Sequence, residues 1–142
     1  MLKVIPKEIS PELMHALMSM GHGDEIVLAD GNFPAASNAQ ILIRADGVDV
    51  CTLLRGIMQF FPLDNFVDDH AVVMAVADAD ADKPPIWTDF RRILSDAEGH
   101  EVELTPIERY EFYVRSREAY CVVATSEEAL YANLIIKKGV VR

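Results

Sequence analysis

Positive charge is scarce in this chain: 13 Lys and Arg stand against 23 Asp and Glu, a formal net charge of −10 over 142 residues. Phosphate backbones are bound by basic faces, so nucleic acid is not expected as a partner. Anionic membrane surfaces are disfavoured on the same ground. Cysteine is almost absent. Cys51 and Cys121 are far apart, lie in apolar surroundings and form no C-x-x-C pair, so both are expected to be reduced, buried packing residues. No apolar run reaches the roughly 18–20 residues of a membrane span. The stretch Met1–Glu8 lacks the uninterrupted apolar core of a secretory leader. Cytoplasmic residence without membrane attachment is therefore expected.

Recognisable cofactor and metal motifs are also missing. Gly21-x-Gly23 precedes a strand-like segment instead of following one, and the third glycine of a dinucleotide loop is absent. Asp78-Ala79-Asp80-Ala81-Asp82 opens like a calcium loop. Lys83 then stands where glycine is required, and Asp89 where glutamate is required. His15 has no acid at a metal-ligand spacing, and His70 and His100 sit beside charged residues at expected strand starts. No metal or cofactor site follows from the sequence.

What remains is a strongly apolar chain, 51% hydrophobic with a mean hydropathy of +0.13. Residues 1–142 suffice for one domain with a substantial core. Ser10-Pro11-Glu12 reads as a helix start, with Leu13, Leu17 and Met20 on one stripe and Gly21 as a C-terminal cap. Glu25 to Ala29 reads as a buried strand, and Gly31 to Asn38 as a loop. Gln40–Arg44 is a second strand; Asp49 caps a helix that Pro62 ends. Ala71–Val76 is the clearest central strand. A helix is expected from about Ile86 to Ala97, then a strand at Glu101–Leu104 and a helix from Pro106 to Arg117. Ala119–Ala124 and Asn133–Lys137 complete the strands, with a short helical turn at Ser126–Tyr131 between them. Strands alternating with helices predict an α/β layered single domain, its central sheet mixed and mostly parallel, flanked by helices.

One stretch has chemical potential. His22 lies between two glycines, before the strand that ends at Asp30. Imidazole exchanges protons near neutrality, and flanking glycines allow close approach. In sheets of this type, ligands bind beyond the carboxyl ends of strands, where Asp30 is placed. Taken singly, each of these residues, like Arg109, Tyr131 and Asn133, has a commoner structural role. The residues alone imply a small α/β protein with a possible acid/base site.

The order of several blocks is more specific. Ser10-Pro11-Glu12-Leu13, Met20-Gly21-His22-Gly23-Asp24-Glu25-Ile26-Val27, Ala29-Asp30 and Asn32-Phe33-Pro34-Ala35 resemble the fucose branch of the fucose mutarotase/ribose pyranase family. So do Ile43-Arg44-Ala45-Asp46-Gly47, Pro85-Ile86-Trp87-Thr88, Ile107–Tyr113, Tyr131-Ala132-Asn133-Leu134 and Lys137-Lys138-Gly139-Val140. The resemblance spans the chain. It implies a cofactor-free, metal-free isomerase that interconverts the α and β anomers of L-fucose. It also implies a ring-shaped homo-oligomer, typically a decamer, with sites near subunit contacts. By this resemblance His22 matches the proton donor. Asp30, Arg109 and the segment Tyr131-Ala132-Asn133 match sugar-binding positions. Arg109 favours fucose, because the ribose branch has histidine there. Ala132 is the residue of the ribose branch, where fucose enzymes usually have glycine. Another monosaccharide, or sugar binding without catalysis, remains an alternative.

Spacing adds a constraint. His22 and Asp30 are eight residues apart, about 26 Å if fully extended. One sugar cannot bridge that interval. Either the His22-Gly23-Asp24 segment folds back over the strand or the residues that meet come from neighbouring subunits. A composite site is expected, with Tyr131–Asn133 as the segment contributed across an interface.

Overall fold

A computed structural model describes residues 1–142. The elements in order are α1 (Pro11–Ser19), β1 (Glu25–Ala29), α2 (Ala35–Asn38), β2 (Leu42–Ala45), α3 (Val50–Ile57), β3 (Ala71–Met74), α4 (Ile86–Glu98), β4 (Thr105–Ile107), α5 (Arg109–Glu118), β5 (Cys121–Thr125) and β6 (Leu134–Lys137). Six strands form one sheet in the order β2-β5-β1-β6-β3-β4. The pairs β2–β5, β5–β1 and β3–β4 are parallel, whereas β6 is antiparallel to both β1 and β3. The sheet is mixed and mostly parallel because one strand alone runs backwards.

Strand periodicity divides the core between the two faces. Ile26, Leu28, Val73, Leu134 and Ile136 point to one side, against α1, α3 and α4, in a cluster of 27 buried residues. Val27, Ala29, Val72, Val122 and Ile135 point to the other, against Ala35 and Phe112, in a cluster of 11. The second face is thinner, and its covering helix α5 leaves Tyr110 and Val114 exposed. No helix is long and apolar enough to cross a membrane.

Local chemistry explains most of the boundaries. The Ser10 side chain accepts from Leu13 N at 3.1 Å and caps α1. Asp49 does the same for α3, accepting from Thr52 N at 2.8 Å. Helix α4 ends at Gly99, which takes a left-handed φ of 76°.

Six expectations are corrected. Gly21 is not the cap of α1: Met20, extended at φ −65° and ψ 137°, ends that helix. Two of the others concern the segment 101–109, where helix and strand patterns compete. The strand expected at Glu101–Leu104 lies later, at Thr105–Ile107. Ile107 therefore belongs to β4, and α5 begins only at Arg109, after Glu108 caps it through Tyr110 N and Glu111 N. Alternation at residues 101–104 mimicked a strand, but pairing with β3 is made by Thr105, Pro106 and Ile107. Residues 126–131 form turns and no helix, and the loop expected at 31–38 contains the short α2. Lastly, Cys121 is buried but Cys51 only partly so.

Candidate functional site

Reversal of β6 creates the main polar cluster. Strand β1 leaves the sheet at Ala29, beside the point where antiparallel β6 enters at Leu134, and Leu28 is in register with Leu134. The residues just outside, Asp30 and Asn133, therefore meet although 103 positions separate them. Asn133 Oδ1 accepts from Asp30 N at 2.8 Å, and Asn133 Nδ2 donates to Asp30 Oδ2 at 3.0 Å. Asp30 Oδ1 accepts from Asn32 N at 3.0 Å. Both side chains are buried. Burial raises the Asp30 carboxyl above its ordinary value, opposed by hydrogen bonds from the backbone of Asn32, Phe33 and Ala132 and from the Asn133 side chain.

The approach to Asn133 is strained. Tyr131 adopts φ +56°, which is costly for a bulky residue. Its carbonyl accepts from the indole Nε1 of Trp87 at 3.0 Å, and its hydroxyl accepts from Ala77 N at 3.4 Å. Ala132 is fully buried, with its backbone turned toward the Asp30 carboxylate. The carboxyl end of parallel β4 lies at this same edge and leads into Arg109, the first residue of α5. The exposed Arg109 donates through Nε to the Tyr113 hydroxyl at 3.2 Å. Its guanidinium lies 5.6 and 5.7 Å from the ring centroids of Tyr113 and Tyr110. Tyr113 packs on Phe33, centroid to centroid 5.6 Å, and so ties Arg109 to the loop after Asp30. The hydrogen bond to Tyr113 is the first cause that holds the Arg109 guanidinium above its ordinary value.

His22 is not among them. It sits in the turn before β1, at the opposite end of that strand. Gly23, at φ +88°, makes this turn, and its N–H donates to Lys138 O at 2.8 Å. From there to Asp30 the strand rises on the order of 20 Å. The segment does not fold back over β1, because Lys138 N donates to Asp24 O at 2.8 Å and continues the β1–β6 ladder. The acid beside His22 is Asp64, whose Oδ2 lies 3.3 Å from Nε2. The His22 side chain is 48% exposed and that of Asp64 only 3%, so a buried carboxylate backs a solvent-facing imidazole. The Phe66 ring lies 5.6 Å from the imidazole.

The structure thus brings together Asp30, Tyr131, Ala132, Asn133 and, through Tyr113 and Phe33, Arg109. Within one chain it leaves His22 apart. Asn133 bonds Asp30 of its own chain, so Asp30 and Tyr131–Asn133 form one unit and His22 is the residue left outside it. Sequence reasoning missed Asp64, Tyr113 and Trp87. Asp64 follows Pro62-Leu63 with no periodic signal, and its partner is 42 residues earlier. Tyr113 was legible only as an apolar helix position. No three His, Cys, Asp or Glu side chains converge with metal-ligand geometry.

Fold and cluster together define a class. This is a six-stranded mixed α/β domain with a rigid carboxylate–amide pair at the carboxyl ends of its parallel strands, where such sheets take small polar ligands. Within that class, the chain belongs to the RbsD / FucU transport protein family, whose model matches residues 3–141. It is 49% identical to a fucose mutarotase of Mus musculus over 97% of this chain and 94% of that protein. It is 45% identical to an L-fucose mutarotase of Haemophilus influenzae over 99% and 97%. The fucose mutarotase of Streptococcus pneumoniae, solved in complex with L-fucose, superposes with a TM-score of 0.93 at 50% identity, covering 99% of this chain and all of that one.

Proposed function

We propose that this chain is a cofactor-independent isomerase that interconverts the α and β anomers of L-fucose. The observation that carries the reading is the match, along nearly the whole chain, to a fucose mutarotase solved with L-fucose. The Asp30–Asn133 pair supports it as a prepared acceptor and donor for sugar hydroxyls. Anomer exchange opens the hemiacetal. His22 delivers a proton to the ring oxygen as the C1–O5 bond breaks, and the anomeric hydroxyl gives its proton to water to leave the open-chain aldehyde. Rotation about C1–C2 and reclosure on the other face complete the exchange. The reaction already runs in water, so one placed acid/base group, contributing roughly 10²–10⁴-fold, is sufficient. Asp30, Arg109, Tyr131 and Asn133 hold the hydroxyls, and the Ala132 backbone keeps the Asp30 carboxylate in place.

Reacting atoms must approach to about 3–3.5 Å, which the separation along β1 forbids within one chain. The working site therefore combines Asp30 of one copy with His22 of a neighbour, in a ring-shaped homo-oligomer that we take to be a decamer in the cytoplasm. Exposed Met18, Ile41, Tyr110 and Val114 supply apolar contact surface for it. The test is magnetisation exchange between the anomer signals of L-fucose, with D-ribose and D-galactose as comparisons. Wild-type protein is expected to accelerate fucose exchange, and His22→Ala to return it to the uncatalysed rate. Saturable fucose binding without faster exchange identifies a binding protein instead.

A further inference from the structure

Phe66 is out of place for a packing residue. Of the six phenylalanines, Phe33, Phe61, Phe90 and Phe112 are buried and Phe60 is 37% exposed, whereas Phe66 is 63% exposed. It is also fixed. Its backbone N–H donates to Asp64 Oδ1 at 3.0 Å, while Oδ2 of the same buried carboxylate lies 3.3 Å from His22 Nε2. One anchored acid thus holds the Phe66 backbone and lies beside the imidazole, and the two rings stand 5.6 Å apart, tilted by 57°. The Arg142 guanidinium covers part of the ring at 5.3 Å from its centroid. The exposure figure shows that much of the ring surface stays open. Exposing an aromatic ring costs hydrophobic free energy that a turn between two elements does not require.

A ring of this kind beside a proton donor matches the apolar face of a sugar. L-Fucose is a 6-deoxy galacto-configured pyranose. Its axial 4-hydroxyl leaves the hydrogens of C3, C4 and C5 together on one face, next to the 6-methyl group. Those polarised C–H groups are complementary to the negative face of an aromatic ring. Ribopyranose has no C6 and a different hydroxyl arrangement, so it presents less of this surface. We propose that Phe66 is a substrate-contacting platform that stacks on the C3–C5 face of the sugar while His22 reaches the ring oxygen, and that it biases the site toward 6-deoxy galacto sugars over ribose.

This inference rests on the mutarotase reading. The experiment compares wild type, Phe66→Trp, Phe66→Leu and Phe66→Ala in anomer-exchange measurements with L-fucose and D-ribose, with light scattering at the same concentrations. Leu and Ala are expected to raise the KM for fucose about 3–10-fold with kcat within about twofold, the range that one lost aromatic contact spans. Trp is expected to restore it, and the KM for ribose to stay within about twofold in every variant. Saturation-transfer difference spectra, irradiated in the aromatic region, are expected to mark fucose H3, H4 and H5 in wild type and to weaken in Phe66→Leu. A Phe66→Leu protein with wild-type fucose KM and undiminished H3–H5 signals overturns the platform while leaving the mutarotase reading intact. Activity lost only in step with dissociation of Phe66→Ala overturns it too, making Phe66 a subunit contact. If wild type does not accelerate fucose exchange, the mutarotase reading fails, and the difference spectra still decide whether the ring meets the sugar.

Discussion

Asp30 is held in a contest between burial and hydrogen bonding. Burial raises its pKa above the ordinary 3.8, and the backbone and Asn133 donors only partly offset this. The folded chain therefore holds the Asp30 proton more tightly than the unfolded chain does. Its contribution to stability is full below 3.8 and is lost as pH rises through the raised folded value. Ligand binding has the opposite slope, because the ionised carboxylate is the better acceptor for a sugar hydroxyl. The KM for L-fucose is expected to rise on acidification at a higher pH than an unperturbed carboxylate would give. Asp30→Asn is expected to remove that acid limb from the pH profile of L-fucose binding, measured by titration calorimetry. The cysteines give a second expectation at this scale. Burial, with Asp89 nearby as the next cause, pushes the Cys51 thiol up to about 11, and burial alone pushes Cys121 up to about 12. Neither is a thiolate at pH 8, so native protein is expected to react slowly with Ellman's reagent, with Cys121 reacting only on unfolding.

Helix α5 joins the two ends of the sheet. Arg109 begins it at the Asp30 end, and Arg115, near its other end, is bound on the His22 side. The Arg115 guanidinium donates to both Glu25 oxygens, at 2.6–3.0 Å, and to the Asp69 carboxylate and carbonyl, each at 3.0 Å. Lys137 adds contacts of 3.5 and 3.6 Å to the same two acids. This network clamps the start of β1, the segment after Asp64 and the end of β6 around the His22 turn. The Arg115 and Glu25 side chains are only 18% and 13% exposed, so Arg115→Met is expected to destabilise the fold by about 2–3 kcal/mol, just below the range for breaking a fully buried pair. Chemical denaturation checks this. Gly139 secures the other side of the turn, donating to Pro62 O at 2.8 Å. A Cβ there would stand 2.6 Å from Leu63 O and 2.9 Å from Asp64 Cα, both backbone atoms. Gly139→Ala is expected to push the Asp64 segment away from His22. The result is a cost of roughly 1–3 kcal/mol and a kcat for fucose exchange that falls more than KM rises.

At the scale of the whole molecule, the proposed site joins two ends of different copies, and that makes it testable by mixing. His22→Ala and Asp30→Asn proteins are each expected to be inactive. Co-assembled in equal amounts, they are expected to regain about one quarter of wild-type activity, because a quarter of the junctions pair an intact His22 with an intact Asp30. Restoration to background only, with mixed assembly verified by mass spectrometry, would exclude a site shared between neighbours.

The sequence by itself determined the α/β class, the span of β1, the caps at Ser10 and Asp49, and the end of α4 at Gly99. Each of these depends on periodicity or on contacts within a few residues, which the chain displays locally. It also placed Asp30 at a strand end, and it set the length that keeps Asp30 from His22. Only the tertiary structure decided the partners. Reversal of β6 brings Asn133 to Asp30 across 103 residues, and the segment after α3 brings Asp64 to His22. The boundary between β4 and α5 was settled in the same way, by pairing with β3 at Thr105–Ile107 against a local helical pattern. Strand order and direction are properties of the assembled sheet: a five-residue apolar strand fits a parallel or an antiparallel neighbour equally well, so no local signal specifies which residues will face each other at its ends.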